Sequence, residues 1–241
     1  MSAAPAPSLK VCGATREQDV DVLARNGADF VGLWHHVPRG PADLPEHEAA
    51  ALAAAARATG RLTPVLVTFL NDPDALCGVL RRTGIHTVQL HAYQPPATVR
   101  ALRARLPDAV VVKVLHVTAD GGCVERPLIG AYERAGTDLF LLDAATDDGR
   151  IGSTGHRLDE AAAVRLADRL TVPFWLAGGL TPAARPAYDT VVRHPLFHGI
   201  DVDTAARDAH GRFADAAVAG LARAWRTAQH TAAPRPSPGG P

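Results

Sequence analysis

Eight short runs of β-branched and apolar residues alternate along this chain with stretches rich in Ala, Leu and Arg. That alternation restricts the fold more than any single motif. The runs are Leu9–Cys12, Phe30–Trp34, Pro64–Phe69, Thr87–His91, Val110–His116, Leu139–Asp143, Phe174–Ala177 and Gly199–Val202. Each is close to continuously apolar, the pattern of parallel strands covered on both faces. Eight such strands separated by helices point to an α/β protein of the closed (β/α)8 TIM barrel type, with an open doubly wound sheet as the rival. The chain has 241 residues, close to the roughly 250 usual for one barrel, and no linker divides it. The expectation is a single barrel over residues 9–230, between a disordered extension at 1–8 and a disordered Pro/Gly-rich tail at 231–241.

Local helix signals agree with this layout. Thr15-Arg-Glu-Gln18 has capping-box spacing, in which the threonine oxygen accepts from a backbone N–H and Gln18 reaches back. That helix is expected to run to about Asn26 and stop at Gly27. Further helices end before Gly60, Gly84 and Gly136, where glycine suits the left-handed conformation that closes a helix. Asp159–Arg169 and Phe213–Arg226 read as the last long helices. Between them, Pro182, Pro186 and Pro195 leave room only for short helical pieces in Thr181–His194.

The totals exclude several function classes. The 25 basic and 25 acidic side chains cancel, so no net field favours nucleic acid or an anionic membrane. Aromatic residues are only 5% of the chain, too few for a base-stacking surface. Cys12, Cys77 and Cys123 are too few and too scattered for a disulfide framework, and no Cys-x-x-Cys pair suggests structural zinc. Met1–Ser8 lacks the pattern of a signal peptide, and no run reaches the roughly 18 apolar residues of a membrane span. A cytoplasmic protein acting on a small molecule, as monomer or homodimer and without nucleic-acid or membrane partners, is the expectation.

Polar residues at the carboxyl ends of barrel strands face the active site. Those positions hold Cys12, His35, His36, Asn71, His91, His116, Asp143, Gly178, Gly179 and the Asp201–Thr204 segment. They come from every part of the chain and converge on one mouth, which is what an enzyme requires. Cys12 and Asp143, on the first and sixth strands, could deliver a proton to one face of a substrate and remove one elsewhere. An isolated cysteine is also a common small hydrophobe, and a strand-end aspartate can simply cap a turn. Gly178-Gly179 and the loop after the eighth strand occupy the places where barrels often bind phosphate through backbone N–H groups. Gly152-Ser-Thr-Gly155 suits a substrate-covering loop or a plain surface turn. The histidines show no metal-ligand spacing such as His-Glu-x-x-His, so neither a metal nor an organic cofactor is expected.

Taken in order, these residues resemble the phosphoribosylanthranilate isomerase family of tryptophan biosynthesis. The likeness rests on Lys10-Val-Cys12-Gly13-Ala-Thr15, Val88-Gln89-Leu90-His91, Leu141-Leu142-Asp143 with Gly152–Gly155, Leu176-Ala177-Gly178-Gly179-Leu180 and Gly199-Ile-Asp201-Val202. It covers about residues 9–226 and implies an Amadori rearrangement, an aldose-to-ketose shift of an N-glycosylated anthranilate. By that resemblance Asp143 is the general acid that opens the furanose and Cys12 the general base at carbon two. Arg39, His91, Gly155, Gly178, Gly179, Asp201, Asp203 and Thr204 are then expected to contact substrate.

Three departures stand out. The family's Ser-Pro-Arg element after the second strand is here His35-His36-Val37-Pro38-Arg39-Gly40, which makes Arg39 the counterpart of its arginine. Tyr93-Gln94 stand near a position where the family has His-Gly. After the eighth strand, Asp-Val-Ser-Ser-Gly becomes Asp201-Val-Asp203-Thr204-Ala205, placing a carboxylate near the expected phosphate. At about 5 Å and an effective dielectric near 20 the repulsion is roughly 3 kcal/mol, unless Asp203 turns away or pairs with Arg207. The second expectation is therefore a relative recruited to specialised metabolism, with the same acid–base pair on a different, unphosphorylated substrate. A binding protein that has lost its reaction is a third, disfavoured by the intact Cys12 and Asp143.

Overall fold

A computed structural model describes residues 6–145 and 157–226 of the chain. Its eight parallel strands are β1 (Ser8–Cys12), β2 (Phe30–Trp34), β3 (Thr63–Thr68), β4 (Thr87–Leu90), β5 (Val110–Val117), β6 (Leu139–Ala144), β7 (Phe174–Leu176) and β8 (Phe197–Val202). Each pairs with the next, and β8 pairs with β1 through Lys10↔Asp201, so the sheet closes. Closure excludes the open doubly wound alternative. The helices are α1 (Glu17–Arg25), α2 (Glu46–Ala58), α3 (Pro73–Thr83), α4 (Pro96–Arg105), α5 (Ile129–Ala135), α6 (Glu160–Ala167), α7 (Asp189–Val192) and α8 (Asp215–Arg226). Among the described residues no helix is long and apolar enough to cross a membrane.

The apolar core lies in two places. The larger part fills the layer between strands and helices, with Leu23, Leu33, Leu66, Val88, Leu115, Phe140 and Trp225 among its members. Inside the barrel, one wall is built by Val65, Val67 and Trp34 from β2 and β3, and another by Val112, Val114, Leu139, Leu141 and Trp175 from β5 to β7. From the strands between these walls come Lys10, Gln89 and Asp201, all buried. A polar strip therefore crosses an apolar barrel, and it leads to the mouth.

The alternation expected from sequence holds strand by strand, and three details differ. Ser8 belongs to β1: its hydroxyl accepts from Trp175 Nε1 at 2.8 Å and donates to the His198 carbonyl at 2.9 Å. The expected extension at 1–8 otherwise lies mostly outside the described residues, as does the tail at 231–241. Gly199 lets β8 approach β1 there, since a Cβ at that position would stand 2.0 Å from the Ser8 carbonyl. The cap of α1 is not Gln18. Asp19 accepts from the backbone N–H groups of Thr15 and Arg16 at 3.0 and 3.1 Å, because the helix begins only at Glu17. Helix α4 carries no glycine stop; it ends at Leu106, before Pro107. As expected, Thr181–His194 holds only short pieces, a 3-10 segment, Pro182–Tyr188, and the single turn of α7.

Candidate active site

Strand period two places Lys10 and Cys12 on the same, inward face of β1. Cys12 Sγ accepts from Trp34 Nε1 at 3.1 Å and from Lys10 Nζ at 3.2 Å. The same Nζ donates to Asp201 Oδ2 at 2.7 Å. Gly32 on β2 makes room for this cluster, because a Cβ there would stand 2.5 Å from Cys12 Sγ and 3.2 Å from Lys10 Nζ. Burial pushes the Cys12 thiol up to about 12, against the lowering effect of Lys10. Burial also opposes the charge on Lys10, but Asp201 and Cys12 beside it outweigh that and hold the ammonium above its ordinary value. The Asp201 carboxyl is raised by burial in spite of Lys10.

On the opposite wall Asp143 stands one residue before the end of β6, level with His116 on β5. Burial, with a further push from Asp201, raises its carboxyl to about 7. His91 Nε2 stands 3.7 Å from Asp143 Oδ2. Burial first, then His116 and Lys10, keep that imidazole well below its ordinary value and hence neutral near pH 7. Gln89 Nε2 lies 2.8 Å from His91 Nδ1; with the amide nitrogen donating, the ring proton sits on Nε2, facing Asp143. The His91 ring stacks on Phe69 with centroids 5.7 Å apart. His116 is held by Glu125, whose Oε1 is 2.6 Å from Nδ1. The mouth thus carries a carboxyl able to hold a proton at neutral pH on one side and a thiol beside a cation on the other. That is the equipment for moving protons on and off a bound sugar.

Comparison with known proteins gives the same direction. The family model for N-(5'-phosphoribosyl)anthranilate (PRA) isomerase matches residues 9–205. The chain belongs to this family. It is 30% identical over 209 residues to N-(5'-phosphoribosyl)anthranilate isomerase 2 of Methanosarcina mazei, covering 84% of this chain and 87% of that one. It is 37% identical over 187 residues to the isomerase of Halobacterium salinarum, covering 76% and 81%. The structure of the isomerase from Pyrococcus furiosus superposes with a TM-score of 0.72 at 18% identity, covering 92% of this chain and all of that one. At that identity the last likeness concerns the fold alone.

Within the PRA isomerase frame the expected residues divide into those the fold gathers and those it leaves at the rim. Cys12, Asp143, His91 and Asp201 are gathered and buried. Gly178 and Gly179 follow β7 with φ of 91° and 62°, a turn that glycine adopts without strain. Asp203 follows β8 and is not free: Arg207 Nε donates to its Oδ1 at 2.6 Å, while Arg207 also donates to the Gly13 and Gly211 carbonyls. Thr204 opens a 3-10 turn, Thr204–Ala206, and is exposed. Arg39 is exposed on a left-handed backbone with φ 62°. His36 is exposed, whereas His35 turns inward and bonds the Leu44 carbonyl at 2.8 Å. Asn71 accepts from Thr98 at 2.7 Å and so fastens a loop to α4. Gly155, with the rest of Gly152–Gly155, lies outside the described residues.

Lys10 and Trp34 were not singled out from sequence. Lys10 had a legible signal, a cation two residues before Cys12 in an otherwise apolar strand. Trp34 had none, since an aromatic at a strand end reads as core.

Proposed function

We propose that this protein isomerises N-(5'-phosphoribosyl)anthranilate to the corresponding amino-ketone, as the family's name implies. The observation that carries this reading is Asp143: a buried carboxyl at the mouth, raised to about 7, in the family's acid position. Protonated Asp143 would donate to the furanose ring oxygen; the C1'–oxygen bond breaks as the anthranilate nitrogen forms the Schiff base. Cys12, as thiolate, would take the proton from C2', and the enolamine tautomerises to the ketone. The phosphate would lie against the Gly178-Gly179 turn and the turn after β8, on adjacent strands. Arg39 at the rim stands in the family's position for holding the substrate.

The unphosphorylated alternative drew its force from an unbalanced carboxylate at Asp203. Arg207 balances that charge at 2.6 Å, and the similar proteins described above are phosphoribosylanthranilate isomerases. A cytoplasmic location and a monomeric or homodimeric state belong to the same reading. The test is turnover of freshly generated phosphoribosylanthranilate, followed by loss of its fluorescence, beside the phosphate-free ribosyl compound. Turnover with a strong preference for the phosphorylated compound is expected. Failure of the folded protein to turn it over, or equal use of both, would overturn the reading.

A further inference from the structure

Burial creates a difficulty for the base that it does not create for the acid. Burial pushes the Cys12 thiol up to about 12 even with the Lys10 ammonium beside it, so near neutral pH the free protein holds the thiol protonated. Charge alone is therefore not enough, and something in the site must take the proton from the thiol.

Lys10 is placed to do so. Its Nζ touches Cys12 Sγ at 3.2 Å and Asp201 Oδ2 at 2.7 Å, so one ammonium serves two groups that compete for it. Asp201 Oδ1 is buried and has no hydrogen-bond partner among the described residues. The remaining groups that face Cys12 and Lys10 are accounted for. Trp34 Nε1 from β2 donates to Sγ, Asp203 beyond β8 is paired with Arg207, His91 from β4 is neutral, and Asp143 on β6 is the acid itself.

We propose that Lys10 is a positioning residue that turns Cys12 into a usable base by relaying the thiol proton to Asp201. The inference rests on Cys12 being the base of the reading above. Lys10 gives one Nζ–H proton to Asp201 Oδ2, and the amine so exposed takes the proton from Sγ. An S–H bond breaks and an O–H bond forms, while Lys10 ends as it began, an ammonium between its two neighbours. The three groups carry no net charge before or after, so the buried site never holds an uncompensated ion, which is the costly event in a low-dielectric interior. The thiolate then accepts the C2' proton. The proton now on Asp201 matches the one Asp143 gave to the ring oxygen, and its return to Asp143 resets the site.

The relay makes opposite predictions for its two members. The readout is the rate at which iodoacetamide alkylates Cys12, which follows the thiolate fraction, measured against pH on the full chain by mass spectrometry of the Cys12 peptide. Lys10→Met should slow alkylation at pH 8 about tenfold or more, equivalent to at least one pKa unit. Asp201→Asn should speed it several-fold, because the amide no longer competes for the ammonium, while kcat for isomerisation falls. A merely structural role would move both variants in the same direction. That result, or wild-type alkylation in Lys10→Met, would overturn the proposal. If Lys10→Met does not fold, the isosteric Asp201→Asn decides: faster alkylation with a lower kcat supports the relay, because the acceptor is lost although the thiolate is more abundant, whereas unchanged or slower alkylation, or faster alkylation with kcat unchanged or raised, overturns it. Alkylation needs no sugar substrate, so the Lys10→Met arm stands whether or not phosphoribosylanthranilate is turned over, and absence of turnover by the wild type would fail the functional reading and not the relay.

Discussion

Cys12 and Asp143 are each 7% exposed, yet burial has opposite consequences on the two walls of the mouth. On the β4–β6 wall, desolvation with a further push from Asp201 brings a carboxyl to the range where a general acid works, and its neighbour His91 is neutral. On the β8–β1–β2 wall, the same desolvation makes a thiol harder to ionise, and the chain answers with a lysine in the barrel interior. Burial works in favour of an acid made from a carboxyl, whereas a base that must become anionic needs a cation beside it.

The largest expected effect tests the acid wall. Asp143→Asn removes the proton donor and should lower kcat by about 10³, within the range for a positioned acid, with the fold intact by circular dichroism. Cys12→Ser tests the base wall, and should cost kcat about 10² to 10³ because a hydroxyl is a far weaker acid than a thiol. If the two losses are equal in kcat but only the cysteine loss is relieved at high pH, the contrast between the walls is sharpened.

A smaller effect concerns the phosphate end. Arg207→Ala uncovers the Asp203 carboxylate and should raise KM about tenfold to a hundredfold with little change in kcat. Arg207 also lies over the Phe213 ring at 4.0 Å, so packing is lost as well. Restoration of KM by adding Asp203→Ser in the same chain would show that charge is the cause; no restoration would assign the loss to packing.

The last effect is on stability. The folded-state value of Asp143 is raised from 3.8 to about 7, so the carboxyl carries no penalty below about pH 4, and stability is lost as pH rises through 7. Asp143→Asn should therefore be more stable than the wild type at pH 8, by on the order of 2–4 kcal/mol, and equal to it near pH 4. Denaturant titrations at the two pH values measure this; an equal difference at both would contradict the assigned burial penalty.

The barrel was legible because its strands are continuous apolar runs, a signal that survives ignorance of every tertiary contact. Helix α4 was not, because it is capped by Pro95, begins at Pro96 and closes at Leu106 without the glycine that marks its neighbours. The cap of α1 was misplaced by one residue, since spacing does not tell Gln18 from Asp19 until the helix start is known. Cys12 and Asp143 were legible as strand-end residues. The Lys10–Asp201 bridge was not: its partners are 191 residues apart, and only closure of β8 on β1 makes them neighbours. The Asp203–Arg207 pair lay within one turn and was anticipated.

The most direct test of the central claim is the ionisation of Asp143 itself, followed by carboxyl carbon-13 NMR against pH, with Asp143→Asn identifying the resonance. A midpoint near 7 would show that burial supplies the acid with its proton at neutral pH. A midpoint below about 5, within the ordinary carboxylate range, would contradict it and leave the acid wall without its defining property.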